Sequence, residues 1–276
     1  MTDLIWFHPR SLDEALTLLQ DESLRVHGGG THILRSGRTT RGGLLDISQL
    51  GLDFVRIEKE WIDIGAMATY SDVIRALRNS FPDNVLTKAL SQSASTPLRN
   101  RITVGGSLAL LPPWSSILGP AVASDAMIFL EGGSRGGFPL SEFRENKPLL
   151  LKGSLIHSMR IPLRQEFSSF HPEKRVASDY PSFTVTALAA LDNGVFSGVR
   201  IVVTGVKSLF VRLETVERGI DGHSPEEVDV RKICTSLPLS FADKPAGSSG
   251  FLCDIASVRL ERCLSELISL ASGKRG

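Results

Sequence analysis

The chain has 276 residues, enough for two or three compact units, and its 42 % apolar content supports a sizeable core. Its 31 Lys and Arg against 30 Asp and Glu leave a formal charge of +1, so no basic excess argues for nucleic acid and no charged tail is present. No run of about 18 apolar residues exists to span a membrane, and the opening MTDLIWFHPRSLDEALTLLQ lacks the basic start and apolar core of a signal peptide. Cys234, Cys253 and Cys263 are odd in number and not closely spaced, which fits a reducing cytoplasm better than a disulfide framework.

In chain order, Ser11 to Gln20 reads as a capped helix: Ser11 is placed to cap, Glu14 follows three residues on, and Ala15, Leu16, Leu18 and Leu19 form an apolar face. Leu24 to Val26 is a short apolar segment that runs into Gly28, Gly29 and Gly30, and Gly43 to Leu50 reads as a strand ending in a turn. Phe54 to Gly65 alternates around a charged turn and predicts a β-hairpin. Thr69 to Arg78 and Asn84 to Gln92 predict helices, Thr103 to Ser107 a second glycine loop, and the stretch after it strands as far as Pro162. The polar segment from Arg164 to Arg175 reads as a crossing into a second, mixed domain. There, strands at 182–191 and 199–206 precede a helix near 209–219 and a closing helix at 253–270.

VHGGGTHIL and TVGGS pose one question: what approaches a backbone that carries no side chains? Ordered glycines are entropically costly, and a run of bare N–H groups makes a concave anion site suited to a pyrophosphate. Tight turns also use Gly-Gly pairs, so composition alone leaves both readings open. The dinucleotide G-x-G-x-x-G and the phosphate-binding G-x-x-x-x-G-K-[ST] are both absent. His8, His27, His32, His157, His171 and His223 show no metal-ligand spacing, three cysteines cannot hold an iron–sulfur cluster, and no G-x-S-x-G elbow marks a hydrolase. Arg99-Asn100-Arg101 reads either as positive charge near a diphosphate or as a solvated strand edge.

TPLRNRITVGGSLA, Thr96 to Ala109, closely resembles a signature of the FAD-binding medium subunits of molybdenum hydroxylases, the family of carbon monoxide dehydrogenase medium subunits and xanthine dehydrogenase flavin segments. FHPRSLDEALTLL, HGGGTHIL, LLDIS, IDIGAMATYSDV, LLLKGSLIHSMRIP and KRVASDYPSFTVTALAAL resemble the same family in the same order. The resemblance implies an α+β fold: a two-subdomain FAD-binding fold of the vanillyl-alcohol oxidase type at 1–163, divided near residue 53, then a small C-terminal α/β domain at 170–276. It implies that Gly28, Gly29, Gly30 and Thr31 form one arm around the FAD pyrophosphate and Thr103, Gly105, Gly106 and Ser107 the other, with His27, His32, Ile102 and Leu151 as further contacts. It also implies [2Fe–2S] and molybdopterin partner subunits, with NAD⁺, a quinone or another molecule as electron acceptor. No covalent flavin link and no catalytic residue on this chain are expected.

Two positions depart from the family pattern. Ser116 stands where an acidic residue usually binds ribityl or ribose hydroxyls, and it keeps a hydrogen bond without the charge. His171 stands where some members carry a lysine near the flavin ring, four residues before Arg175. Arg175 and Asp179 match the family, and fit a structural ion pair equally well. The departures motivate an alternative: a scaffold subunit of the same complex with weak or lost FAD binding.

Overall fold

The computed structural model describes residues 4–36, 42–177, 179–235 and 237–273. The chain divides into two compact units. The first comprises Met1–Ala76, Ser95–Leu111 and Asp125–Leu163; the second comprises Leu77–Ala94, Pro112–Ser124 and Arg164–Gly276. Two short segments of the N-terminal half, 77–94 and 112–124, thus belong with the C-terminal unit.

The first unit opens with β1 (Trp6–Phe7), α1 (Leu12–Leu18), β2 (Leu24–His27), α2 (Thr31–Ser36) and β3 (Gly43–Asp46). The strands form a parallel sheet in the order β1-β3-β2. Ser11 Oγ accepts from Glu14 N at 3.2 Å, and the Glu14 carboxylate accepts from Arg10 N at 2.7 Å, so reciprocal caps start α1. Ala15 of this helix and Leu45 of β3 are fully buried, in a cluster with Ile47 and Leu155.

The hairpin follows as β4 (Val55–Ile57) and β5 (Trp61–Gly65), antiparallel as its alternation predicts. Next come α3 (Tyr70–Leu77), α4 (Val85–Ser91), α5 (Thr96–Arg99), α6 (Val104–Leu110) and α7 (Leu118–Ala123). Thr69 and Asp72 exchange bonds that cap α3: Thr69 N donates to Asp72 Oδ2 at 3.0 Å, and Asp72 N to Thr69 Oγ1 at 3.2 Å. β6 (Met127–Gly132), β7 (Gly136–Pro139), α8 (Leu140–Leu150) and β8 (Ser154–Pro162) complete the first unit. Its second sheet is antiparallel, ordered β4-β5-β8-β6-β7. Two expectations change here. Thr103–Ser107 is not a free loop but the cap and first turn of α6. Helix α8 lies where only strands were expected, in a sequence whose Pro148 argues against a helix interior.

The second unit adds β9 (Phe167–Glu173), β10 (Phe183–Asp192), β11 (Val195–Val206), β12 (Leu209–Arg212), α9 (Glu214–Arg218), α10 (Val230–Ile233) and α11 (Ser249–Ala271). The strands form an antiparallel sheet, β12-β11-β10-β9. Leu252, Ala256, Leu260, Cys263, Leu264 and Leu267 line one side of α11 and are buried against the sheet's Phe183, Val185, Ile201 and Val203. The segment expected to be a crossing is therefore largely strand β9, and the helix expected near Leu209 begins as β12. β9 escapes detection because its α11-facing residues are polar: Ser169 and His171 bond Glu266, and Glu173 bonds Arg259. As an edge strand it is shielded on its outer side. Lys88 Nζ donates to Ser168 O at 2.7 Å and Gln92 Nε2 to Phe170 O at 3.4 Å, while Pro172 has no N–H to offer.

Candidate functional site

The first glycine run is the exit of β2. Ile47 N bonds the His27 carbonyl at 3.2 Å, so β3 holds the last residue of β2 in place. Gly30 then turns the chain at φ +73°, in the left-handed region that favours glycine, and α2 begins at Thr31. No other described residue accepts a hydrogen bond from the N–H groups of Gly28, Gly29, Gly30 or Thr31. Four successive main-chain donors without an acceptor are the donor set of an anion nest.

The second run is built differently. Thr103 Oγ1 accepts from Gly106 N at 3.1 Å as the N-cap of α6. Val104 N donates to Ala68 O at 2.9 Å, Gly105 N to Ala66 O at 2.8 Å and Ser107 N to Thr103 O at 3.0 Å. These N–H groups are all bonded within the protein. The Ser107 hydroxyl lies 2.9 Å from Thr103 O and 3.0 Å from the Tyr70 hydroxyl, and Ile102 O accepts from Tyr70 N at 3.0 Å.

The structure brings the two runs together. A Cβ on Gly29 would stand 1.5 Å from the Arg101 carbonyl oxygen, and one on Gly28 would stand 3.2 Å from Thr103 Oγ1. A Cβ on Gly105 would meet Ala66 Cβ at 2.7 Å. Part of the demand for glycine is therefore internal: at Gly29 and Gly105 the protein's own backbone occupies the space. Arg101 closes the junction, its Nε and a terminal N donating to the Gly29 carbonyl at 3.1 and 3.0 Å. Neither expectation for the Arg99–Arg101 run foresees this: the guanidinium is a clamp between the two runs.

The face of the small sheet beside the first run carries Trp6, His8, His27 and Asp46. Trp6 meets His27 edge-on with ring centres 4.9 Å apart and stacks on His8 at 6.1 Å. Asp46 lies 3.7 Å from His8 Nδ1 and 3.9 Å from His27 Nδ1. Burial opposes ionisation of Asp46, but hydrogen bonds from Ser48 and the two imidazoles outweigh it and hold its pKa below the usual value. Sequence reasoning finds His27 and misses Asp46 and Tyr70, which residue type alone does not mark.

The other expected contacts lie on further elements of the two units. Leu151 is the half-buried C-cap of α8 in the first unit, its N–H bonding Lys147 O at 3.0 Å. Lys147 itself donates to Ala109 O and Leu110 O, the last carbonyls of α6, and burial pushes its pKa down. His32 is exposed on α2. Ser116, His171 and Asp179 belong to the second unit. Ser116 is buried at 3 % exposure beside Ser115, whose hydroxyl has no hydrogen-bond partner among the described residues. His171 Nε2 is 2.6 Å from Glu266 Oε2, and Arg175 Nε donates to Asp179 Oδ2 at 3.1 Å. Burial pushes the Cys234 and Cys263 thiols up to about 11 and about 12, which keeps both protonated. Among the described residues no group of three or more His, Cys, Asp or Glu could hold a metal ion, and no helix is long and apolar enough to cross a membrane.

A family model for the FAD binding domain in molybdopterin dehydrogenase matches residues 2–164, which include both glycine runs. The chain belongs to this family. Family membership makes it an oxidoreductase component whose cofactor is FAD. The 6-hydroxypseudooxynicotine dehydrogenase complex subunit alpha of Paenarthrobacter nicotinovorans is 26 % identical over 276 residues, 95 % of this chain and 93 % of that one. The nicotinate dehydrogenase FAD-subunit of Eubacterium barkeri is 31 % identical over 142 residues, 48 % of this chain and 47 % of its own. Among solved structures, quinoline 2-oxidoreductase from Pseudomonas putida 86 superposes with TM-score 0.88 at 20 % identity, covering 99 % of this chain and 98 % of that one. Carbon monoxide dehydrogenase from Hydrogenophaga pseudoflava gives 0.85 at 22 % identity, covering 96 % of each. The mixed helix-and-sheet architecture is thus the FAD-binding fold that the sequence motifs imply.

The residues of the first run fit the diphosphate of FAD on their own chemistry. An anion with several acceptor oxygens suits four successive N–H donors that no described residue accepts from.

Proposed function

We propose that this chain is the FAD-binding subunit of a multi-subunit molybdenum hydroxylase, carrying electrons from the [2Fe–2S] clusters of a partner subunit to an external acceptor. The observation that carries this reading is the set of unpaired N–H groups at Gly28–Thr31, seated against a second glycine run inside the family-matched region. FAD bound there supplies a redox centre that exchanges electrons singly or in pairs.

The protein's own part is to bind and orient. Gly28, Gly29, Gly30 and Thr31 donate main-chain hydrogen bonds to the diphosphate. Thr103, Gly105, Gly106 and Ser107 serve mainly as the wall that shapes the first run, because the N–H groups of Gly105, Gly106 and Ser107 are already bonded and the Thr103 hydroxyl is taken by Gly106 N. His27, His32, Ile102 and Leu151 are further contacts on this reading, and Ser116, His171 and Asp179 are those of the second unit. The relatives named as a dehydrogenase complex subunit and a FAD-subunit support a partner-dependent role. On this reading substrate is hydroxylated at a molybdopterin centre on another chain, and a [2Fe–2S] subunit lies between.

A second reading, a scaffold subunit of the same complex with weak or lost FAD binding, draws on the bonded amides of the second run and on the commitment of His171 to Glu266. Absorbance spectra of the purified full chain, before and after incubation with FAD and desalting, separate the two. Retained flavin bands near ~450 nm support the flavoprotein, consistent with a cofactor held through backbone amides; a folded chain without them supports the scaffold. Gly28→Asp sharpens the test. The nearest neighbours of its Cβ are side-chain atoms, Thr103 Oγ1 at 3.2 Å and Met67 Sδ at 3.4 Å, which yield by a few tenths of an ångström, while a carboxylate beside the donors repels the diphosphate. Flavin retention is expected to disappear while the circular dichroism spectrum stays unchanged.

A further inference from the structure

Each peptide unit is planar and trans, so its C=O and N–H point in opposite directions. Among the described residues there is no cis bond. Whatever fixes the direction of one carbonyl therefore fixes the direction of the next residue's N–H. Two carbonyls of the first run are held in this way. His27 O is held by Ile47 N at 3.2 Å, which sets Gly28 N–H. Gly29 O is held by the Arg101 guanidinium at 3.1 and 3.0 Å, which sets Gly30 N–H. The first anchor is main chain. The second is a side chain 72 residues away in sequence, and a side chain can be changed by substitution.

Glycine makes that second anchor necessary. Gly29 and Gly30 have no side chains to restrict them, and without a restraint the peptide between them can rotate to present its carbonyl instead of its N–H. A carbonyl oxygen facing a diphosphate is repulsive where an N–H is attractive. The Arg101 backbone adds to the restraint, because its carbonyl oxygen fills the space beside the Gly29 Cα. A guanidinium presents two parallel donors in a rigid fork, and a lysine in the same place offers a single movable one.

We propose that Arg101 is a positioning residue for the cofactor loop: by holding the Gly29 carbonyl it keeps the Gly30 N–H directed at the diphosphate. The proposal rests on the reading of the first run as the diphosphate arm. Arg101 need not touch FAD to act in this way, and its own side chain remains largely in solvent.

The test uses the full-length chain, stripped of flavin, and titrates FAD by quenching of its fluorescence. Wild type, Arg101→Gln and Arg101→Lys are compared, together with the thermal midpoint of each apo protein. A charge-assisted hydrogen bond sets the scale, so Arg101→Gln is expected to weaken FAD binding ~10–100-fold. Arg101→Lys is expected to recover only part of that loss, and the apo midpoints are expected to agree. Unchanged affinity in Arg101→Gln overturns the proposal. Full recovery in Arg101→Lys also overturns it, assigning the effect to charge alone. A fall in apo midpoint that parallels the loss of affinity in both variants makes Arg101 a structural residue, which again overturns it. A wild-type chain that takes up no FAD overturns the diphosphate reading itself, and the two failures are thereby distinct.

Discussion

Gly28–Thr31 and Val104–Ser107 each set consecutive glycines at the start of a short helix, yet no described residue accepts from the N–H groups of the first, while the second bonds all of its own. The difference lies in what precedes them. The first follows a strand in a parallel sheet and ends in a residue at positive φ, which lifts the chain away from its neighbours. The second lies against the turn at Ala66–Ala68, whose carbonyls take its amides. The same residue type thus serves exposure of donors in one place and close packing of backbone in the other. Part of the glycine requirement of both runs comes from the protein's own packing, at Gly29 against Arg101 and at Gly105 against Ala66.

Substitutions test the contrast, beginning with the severest. Gly29→Ala pushes a methyl into the Arg101 carbonyl at 1.5 Å, with backbone on both sides and nothing flexible to yield. It is expected to cost about 3 kcal/mol or more, read by urea denaturation. A much smaller loss shows that the loops part easily and weakens the picture of a rigid junction. Thr103→Val keeps the shape at the second run and removes the hydroxyl that caps α6. A loss of about 1 kcal/mol is expected, without the abolition of flavin uptake expected from Gly28→Asp. If Thr103→Val abolishes uptake instead, the second run contributes more to the ligand than its bonded amides suggest.

The smallest effect is expected on the sheet face beside the first run. Asp46 has a folded pKa below its ordinary value, so the stability it contributes is present at neutral pH and is lost as the pH falls through that lowered value. Asp46→Asn removes this dependence. Wild-type stability is expected to fall more steeply than that of the variant on acidification below about pH 4, followed by denaturant midpoints at successive pH values. Parallel curves show that Ser48, His8 and His27 do not favour the Asp46 carboxylate.

Local signals carried much of the fold. The Ser11 cap, the alternation in Phe54–Gly65 and the helical pattern of Asn84–Gln92 correspond to α1, the β4–β5 hairpin and α4. Where the reading failed, distant residues decided the structure. Strand β9 alternates polar groups that face partners on α11, nearly a hundred residues later, and no local window contains that pairing. Helix α6 carries two glycines, poor helix formers, in its first turn, and the first of them, Gly105, is needed to pass Ala66. At the site, the triplet was visible as composition and the family motif located the second run. The difference in amide bonding between the two runs was not visible, nor was the Arg101 fork on Gly29, since both depend on contacts between residues far apart in sequence.

The outer side of β9 has a consequence for the chain on its own. Lys88 and Gln92 occupy the Ser168 and Phe170 carbonyls, and Pro172 offers no donor. A strand so blunted is a poor template for another copy's backbone. Sheet-to-sheet aggregation through this edge is thereby suppressed, and the protection comes from the chain's own side chains.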